Sequence, residues 1–244
     1  PQPAEPAAFP SAIILSAAGQ AHAADKSWNL GFGNWNTAAN WLAPGVPAPA
    51  DNVFIGNTGA AANSFVTLNV NSTVASMAIT DGMVLNTENA RMFVTGDTMI
   101  SGRNESNNVI WPSRIQVRNG PNFAYDYVTD NLTLTDEAGI DMIGGGLEVN
   151  GLLLVNSGAA IWGEGVIRLT SDAEVAMRLD GTLDPGVEGL TINQVGNGRI
   201  DLDGTFPGDS IINITSAMGD HTAFASLTIN GDQLRDSFDD SFWV

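Results

Sequence analysis

The 244-residue chain has no cysteine, a single lysine among nine basic residues, two histidines and two tyrosines. Without cysteine there can be no disulfide framework, thiol nucleophile or cysteine-ligated zinc. Nine basic residues against 27 acidic ones leave a formal net charge of −18, and no window supplies the basic patch that phosphate binding requires. Nucleic acid is therefore not expected as a partner, and simple electrostatics also disfavours anionic lipid. The acidity instead gives a solvated, self-repelling surface. No window has the 3.6-residue period of an amphipathic helix. The apolar run in SAIILSAAGQ is too short to span a bilayer, so no membrane span is expected in this chain.

What the chain does have is a ladder of short, β-branched apolar segments, from about Asn52 to about Asn230. Its rungs include NVFIG, SFVTLNV, TVASMAIT, ARMFVTG, NLTLT, GLEVNGLLLVNSG, GVIRLTSDAEVAMRLDG, LTINQ, GRIDLDG, SIINITS and SLTING. Each alternates apolar with polar residues as a half-buried strand does. The NG, DG, GGG and NSG clusters between them supply the positive-φ positions of tight turns. The fold class is all-β. Leu134 to Leu154 is about 20 residues and Leu183 to Leu202 about 19, close to the coil length of many β-helical repeats. A parallel β-solenoid of about 7–9 coils is expected, with Leu134, Leu154, Leu169, Leu183, Ile192 and Leu202 in its interior rows. On the same spacing Leu152, Ile167, Val175 and Met177 also stack inward. The alternative is a β-sandwich, which would pair sequence-adjacent strands antiparallel.

Residues 1–27 differ in kind. PQPAEPAAFP is Pro/Ala-rich and extended. The apolar run that follows ends in Ala21-His22-Ala23, like the h-region and cleavage site of a secretory signal, although no Lys or Arg precedes it. Retained, this segment would be an arm lying on the first coil. A cap is expected over 28–56, a β-helix over 57–235 with an excursion at 102–130, and a tail over 236–244. Trp28, Trp35 and Trp41, with prolines 44, 47 and 49, are expected to cover the exposed first coil; a sugar-stacking platform is their alternative use.

The segment SWNLGFGNWNTAANWLAPGVPAPADNVFIG resembles the opening of bacterial secreted repeat proteins of the autotransporter-passenger and PEP-CTERM-associated kind. The matching residues are Trp28, Trp35, Asn40, Trp41, Gly45, Val46, Pro47, Asp51, Val53 and Ile55, and GTLDPG at Gly181–Gly186 looks like their closing coils. The resemblance implies a right-handed parallel β-helix and an extracellular or cell-surface location. It implies no reaction.

Residues that could carry chemistry are few. Asp130, Asp136, Glu137 and Asp141 form one acidic cluster, and Asp201, Asp203 and Asp209 another. Glycoside hydrolysis would need two of these at a defined separation across a cleft. GNGRIDLDG partly matches the nonapeptide whose stacked turns bind calcium, which makes Asp201 and Asp203 weak candidate ligands for Ca²⁺, the one cofactor entertained. The excursion holds Arg103, Arg114 and Arg118 together with Trp111, Tyr125 and Tyr127. Guanidinium forks and aromatic faces suit a glycan, so any glycan affinity is expected at Trp111, Arg114, Arg118, Tyr125 and Tyr127. The bland reading is that the aromatics pack the loop while the arginines offset acidic neighbours.

Three functions fit. The first is a non-enzymatic extracellular scaffold or adhesin that self-associates or binds surface glycans. The second is a phage or virion fibre component. The third is a polysaccharide-binding or -degrading β-helix, whose lyase form is weakened by the scarcity of Arg and Lys. Fold alone does not choose among them.

Overall fold

The computed structural model describes residues 24–29, 31–42, 45–56, 64–88, 90–106, 109–120, 124–185, 189–206, 212–216 and 227–229. Of the expected leader, residues 1–23 lie outside the described residues, as do the tail and both histidines; residues 24–27 are described and run into the first strand.

The chain winds into a parallel β-solenoid with three faces. The first face stacks Asp25–Trp28, Asn52–Ile55, Ser76–Ile79, Thr98–Ser101, Leu132–Thr135, Leu153–Val155, Val175–Leu179, Arg199–Leu202 and Leu227–Ile229. The second stacks Gly33–Asn34, Phe65–Thr67, Val84–Asn86, Arg114–Arg118, the first halves of Gly139–Val149 and Ala160–Leu169, and Thr182–Asp184. The third stacks Ser72–Val74, Met92–Val94, Tyr127–Thr129, the second halves of the same two long strands, Leu190–Gln194 and Ile212–Ser216. Among the described residues only two strand pairs run antiparallel: Asp25–Trp28 with Trp41–Leu42, and Arg103–Ser106 with Val109–Pro112. That excludes the sandwich.

Among the described residues six turns carry a strand on all three faces, fewer than the spacing predicts. Successive turns are 19 residues apart at Val66 and Leu85 but 25 apart at Ile167 and Ile192. Where the excursion intervenes, Thr98 and Leu132 are 34 apart. A fixed 19–20-residue coil underestimates this average.

Alternation along each strand builds the core. On the first face Val53, Met77, Leu132, Leu153, Met177 and Ile200 form one buried row, and Ile55, Ile79, Ile100, Leu134, Val155, Leu179 and Leu202 the next. Val66, Leu85, Ile115, Ile140, Ile161 and Leu183 line the second face, and Leu147, Ile167 and Ile192 the third. Leu134, Leu169, Leu183, Ile192 and Leu202 thus point inward as expected, as do Ile167 and Met177. Leu152, Leu154 and Val175 do not, being only half-buried. In Leu152–Val155 every residue is apolar, so alternation cannot fix the phase, and the backbone turns Leu153 and Val155 inward instead.

Corners reuse one device. Thr80–Met83, Thr135–Ala138 and Asn156–Ala159 are equivalent turns, each closed by a backbone hydrogen bond of 3.0 or 3.1 Å between first and fourth residues. Side chains tie corners together along the axis. Asn52 donates to Asp25 at 3.1 Å and accepts from Ser76 at 2.8 Å, and Asn131 donates to Asp97 at 2.8 Å while accepting the Leu152 N–H at 2.7 Å.

The first coil is closed by aromatics. Trp41–Leu42 runs antiparallel along the outer edge of Asp25–Trp28. The Trp41 ring meets Trp28 and Trp35 edge-on at 4.9 and 4.8 Å, and its Nε1–H donates to the Trp35 carbonyl at 2.9 Å. All three indoles are buried, which fits a cap and removes the sugar-platform alternative. The buried Asp51 carboxylate fastens this end: it accepts the N–H of Ala24 at 3.0 Å and of Ala48 at 2.8 Å. Trp35→Ala should lower the unfolding free energy by about 3–5 kcal/mol in a denaturant titration, and light scattering should report association through the uncovered edge. A loss below about 1 kcal/mol would show that the indoles do not hold this end.

Candidate functional site

The five excursion residues do not form one site. Among the described residues the departure from the ladder is shorter than predicted: the hairpin of Arg103–Ser106 and Val109–Pro112 leaves it, while Arg114–Arg118 and Tyr127–Thr129 are ordinary rungs. Arg103 ties the base of the hairpin to Glu137 on the next turn through an ion pair.

Tyr127 is a core residue, which corrects its assignment to a glycan surface. It is fully buried, and its hydroxyl lies 2.9 Å from Thr98 Oγ1 and 3.5 Å from Met77 Sδ. Thr98 Oγ1 is in turn 2.9 Å from Thr129 Oγ1, which donates to the carbonyls of Gly96 and Asn131 at 3.0 and 3.1 Å. Because Thr129 uses its proton on carbonyls, Thr98 donates to it and Tyr127 donates to Thr98. Each buried hydroxyl is satisfied by that relay. Burial pushes the Tyr127 phenol well above its ordinary range.

Tyr125 lies at a corner of the third face, with the Arg168 guanidinium 5.5 Å from its ring centroid. Arg168 also pairs with Glu148 at 2.8 Å. Arg118 is half-buried, its backbone N–H donating to Thr87 Oγ1 at 3.1 Å and its buried Nε having no partner among the described residues. Trp111 is half-buried on the hairpin, opposite Asn104.

Arg114 belongs to a different grouping, on the outside of the second face. There the ladder places Asn86, Gln116, Asp141, Trp162 and Asp184 in one outward row, one residue per turn. Pro112, Arg114, Asp141 and Trp162 line a hollow of about 280 Å³. Gln116 Nε2 donates to Asp141 Oδ2 at 3.0 Å. The six-membered ring of Trp162 rests on Gly139, where a Cβ would come within 1.9 Å of it. Glycine at 139 is thus what allows the indole to lie against the sheet. Trp162 was not legible as a site residue, because the Gln116–Asp141–Trp162 alignment exists only once the register is known.

The acidic clusters dissolve likewise. Asp136 and Glu137 are exposed at a corner, Asp141 faces outward, and Asp130 sits at another corner. Asp201 is gripped by Arg199, whose Nε and Nη2 donate at 2.6 and 2.8 Å. Those hydrogen bonds hold its carboxyl below the ordinary range against a smaller upward push from burial, and the charges of Arg199 and Arg178 add to the lowering. A calcium-binding stack needs carboxylates on adjacent turns, whereas the residue stacked on Asp201 from the preceding turn is Arg178, and Asp203 is exposed. Asp209 lies outside the described residues. Among the described residues no three His, Cys, Asp or Glu side chains are grouped to hold a metal ion, and no helix is long and apolar enough to cross a membrane.

Comparison with known proteins returns no family model, curated protein or solved structure that matches the chain.

The buried phenol gives a pH signature. Above the ordinary phenol pKa of about 10, the unfolded chain releases the proton while the folded chain keeps it, so stability falls as pH rises. In Tyr125→Phe protein, Tyr127 is the sole tyrosine. Its phenolate absorbance should appear only together with loss of the β-sheet circular dichroism. Ionisation with the fold intact would mean that the ring reaches solvent.

Proposed function

We propose that the protein is a non-enzymatic structural scaffold of a bacterial surface, a stiff rod whose shape is its product. The observation that carries this reading is the continuous core through six complete turns, closed at its amino-terminal end by three buried indoles. The acidic side chains support it. Asp51 and Asp126 each use both carboxylate oxygens on backbone N–H groups, and Asp25, Asp97 and Asp172 accept from asparagines on the next turn. These carboxylates maintain corners. The resemblance of the Trp28–Ile55 segment to secreted repeat proteins favours an extracellular location.

The test combines place and activity. Antibody against the protein should label intact cells of the producing bacterium, and the purified protein should release no reducing ends from a panel of neutral and acidic polysaccharides. Labelling that requires permeabilised cells, or turnover of any polymer, overturns the reading.

A further inference from the structure

We propose that the hollow on the second face binds a neutral polysaccharide, with one sugar ring seated on the Trp162 indole. The proposal does not depend on the scaffold reading, since a surface rod and an enzyme could both carry such a site.

Four features converge there. The first is the indole itself, half-buried on a sheet whose outward residues are otherwise mostly polar and held against the backbone by the missing side chain of Gly139. An aromatic ring fixed in this way offers its face to the C–H face of a sugar without first being ordered. Second, Asp141 stands beside it on the preceding turn, in direct register with Trp162. Gln116 occupies its Oδ2, and among the described residues Oδ1 accepts no hydrogen bond. A carboxylate with a free oxygen next to a stacking ring is an acceptor for sugar hydroxyls. Third, Arg114 lines the same hollow. A guanidinium is a rigid fork of donors suited to two neighbouring hydroxyl oxygens. Fourth, the hollow is an open depression of about 280 Å³ between the hairpin strand and the sheet, room for one sugar ring.

Charge decides the class of polymer. The protein carries a formal net charge of −18, and Asp141 faces the site. A polyanion would meet repulsion from both, offset by Arg114 in the lining; Arg103, opposite Pro112 across the hairpin, already pairs with Glu137. A neutral hexose or pentose polymer meets none. One ring on one indole gives an affinity on the order of 1 mM, so polymeric ligand and repeated display are needed for retention.

Affinity electrophoresis of the full chain in gels containing dextran, mannan, xylan, galactomannan, alginate or pectate tests this. At least one neutral polymer should retard the wild type, and Trp162→Ala should weaken that retardation by about tenfold. Trp162→Phe should keep most of it, and Asp141→Asn should weaken it with an unchanged melting temperature. Trp111→Ala, on the neighbouring hairpin, should bind as the wild type does. If Trp162→Ala fails to fold, Asp141→Asn decides: retardation equal to wild type overturns the proposal. So does the absence of retardation by every neutral polymer, or loss of binding in Trp111→Ala but not in Trp162→Ala. Binding confined to alginate or pectate and abolished by salt also overturns it, since Arg114 would then be acting as a counter-charge without stacking.

Discussion

Every backbone N–H and C=O in the stacked strands depends on the turn before and the turn after. A single turn can neither bury its apolar side chains nor satisfy its own ladder bonds, and the rest of the molecule follows from that dependence. Side chains must alternate strictly, because a one-residue slip would turn a whole row outward. Corners must return the chain to the stack in register, so extra residues have to leave outward, as they do in the 34-residue step from Thr98 to Leu132. The equivalent turns at Thr80–Met83, Thr135–Ala138 and Asn156–Ala159, and the Asp25–Asn52–Ser76 ladder, are the local answers to one global demand.

The same dependence makes the ends costly. Trp28, Trp35 and Trp41 solve this at the amino-terminal end by closing the interior with indoles and laying an antiparallel strand along the open edge. Insertions are confined for a related reason. The hairpin at Arg103–Pro112 pairs only with itself and leaves at a corner, so the chain rejoins the stack at Arg114 in register with Val84. A protrusion from the middle of a face would break hydrogen bonds on both sides.

The class of fold was legible because β-branched alternation and Gly/Asn/Asp punctuation are properties of single segments. Other features are properties of alignment between segments, and these were harder to read. Leu152–Val155 gives no phase because all four residues are apolar, and only the neighbouring turns choose Leu153 and Val155. Tyr125 and Tyr127 look alike in sequence, yet one sits at a corner beside Arg168 and the other donates a hydrogen bond in the core. The hollow was half visible. Arg114 stood out as a rare cation, but Asp141 and Trp162 lie 27 and 48 residues further along and meet it only through the register.

The hydrogen bonds of a solenoid point along its long axis, and this gives the rod a direction of mechanical weakness. Tension between its two ends would load the bonds of one turn head-on, on three faces at once, without sharing the force with the turns behind. The chain would then yield in steps, each releasing one turn. A turn of roughly 22 residues pays out about 75 Å when extended, at about 3.4 Å per residue. The turn that carries the hairpin holds 34 residues between Thr98 and Leu132 and would release about 115 Å. The hairpin therefore stores slack: it lengthens one step of the rod's extension without adding to its resting length.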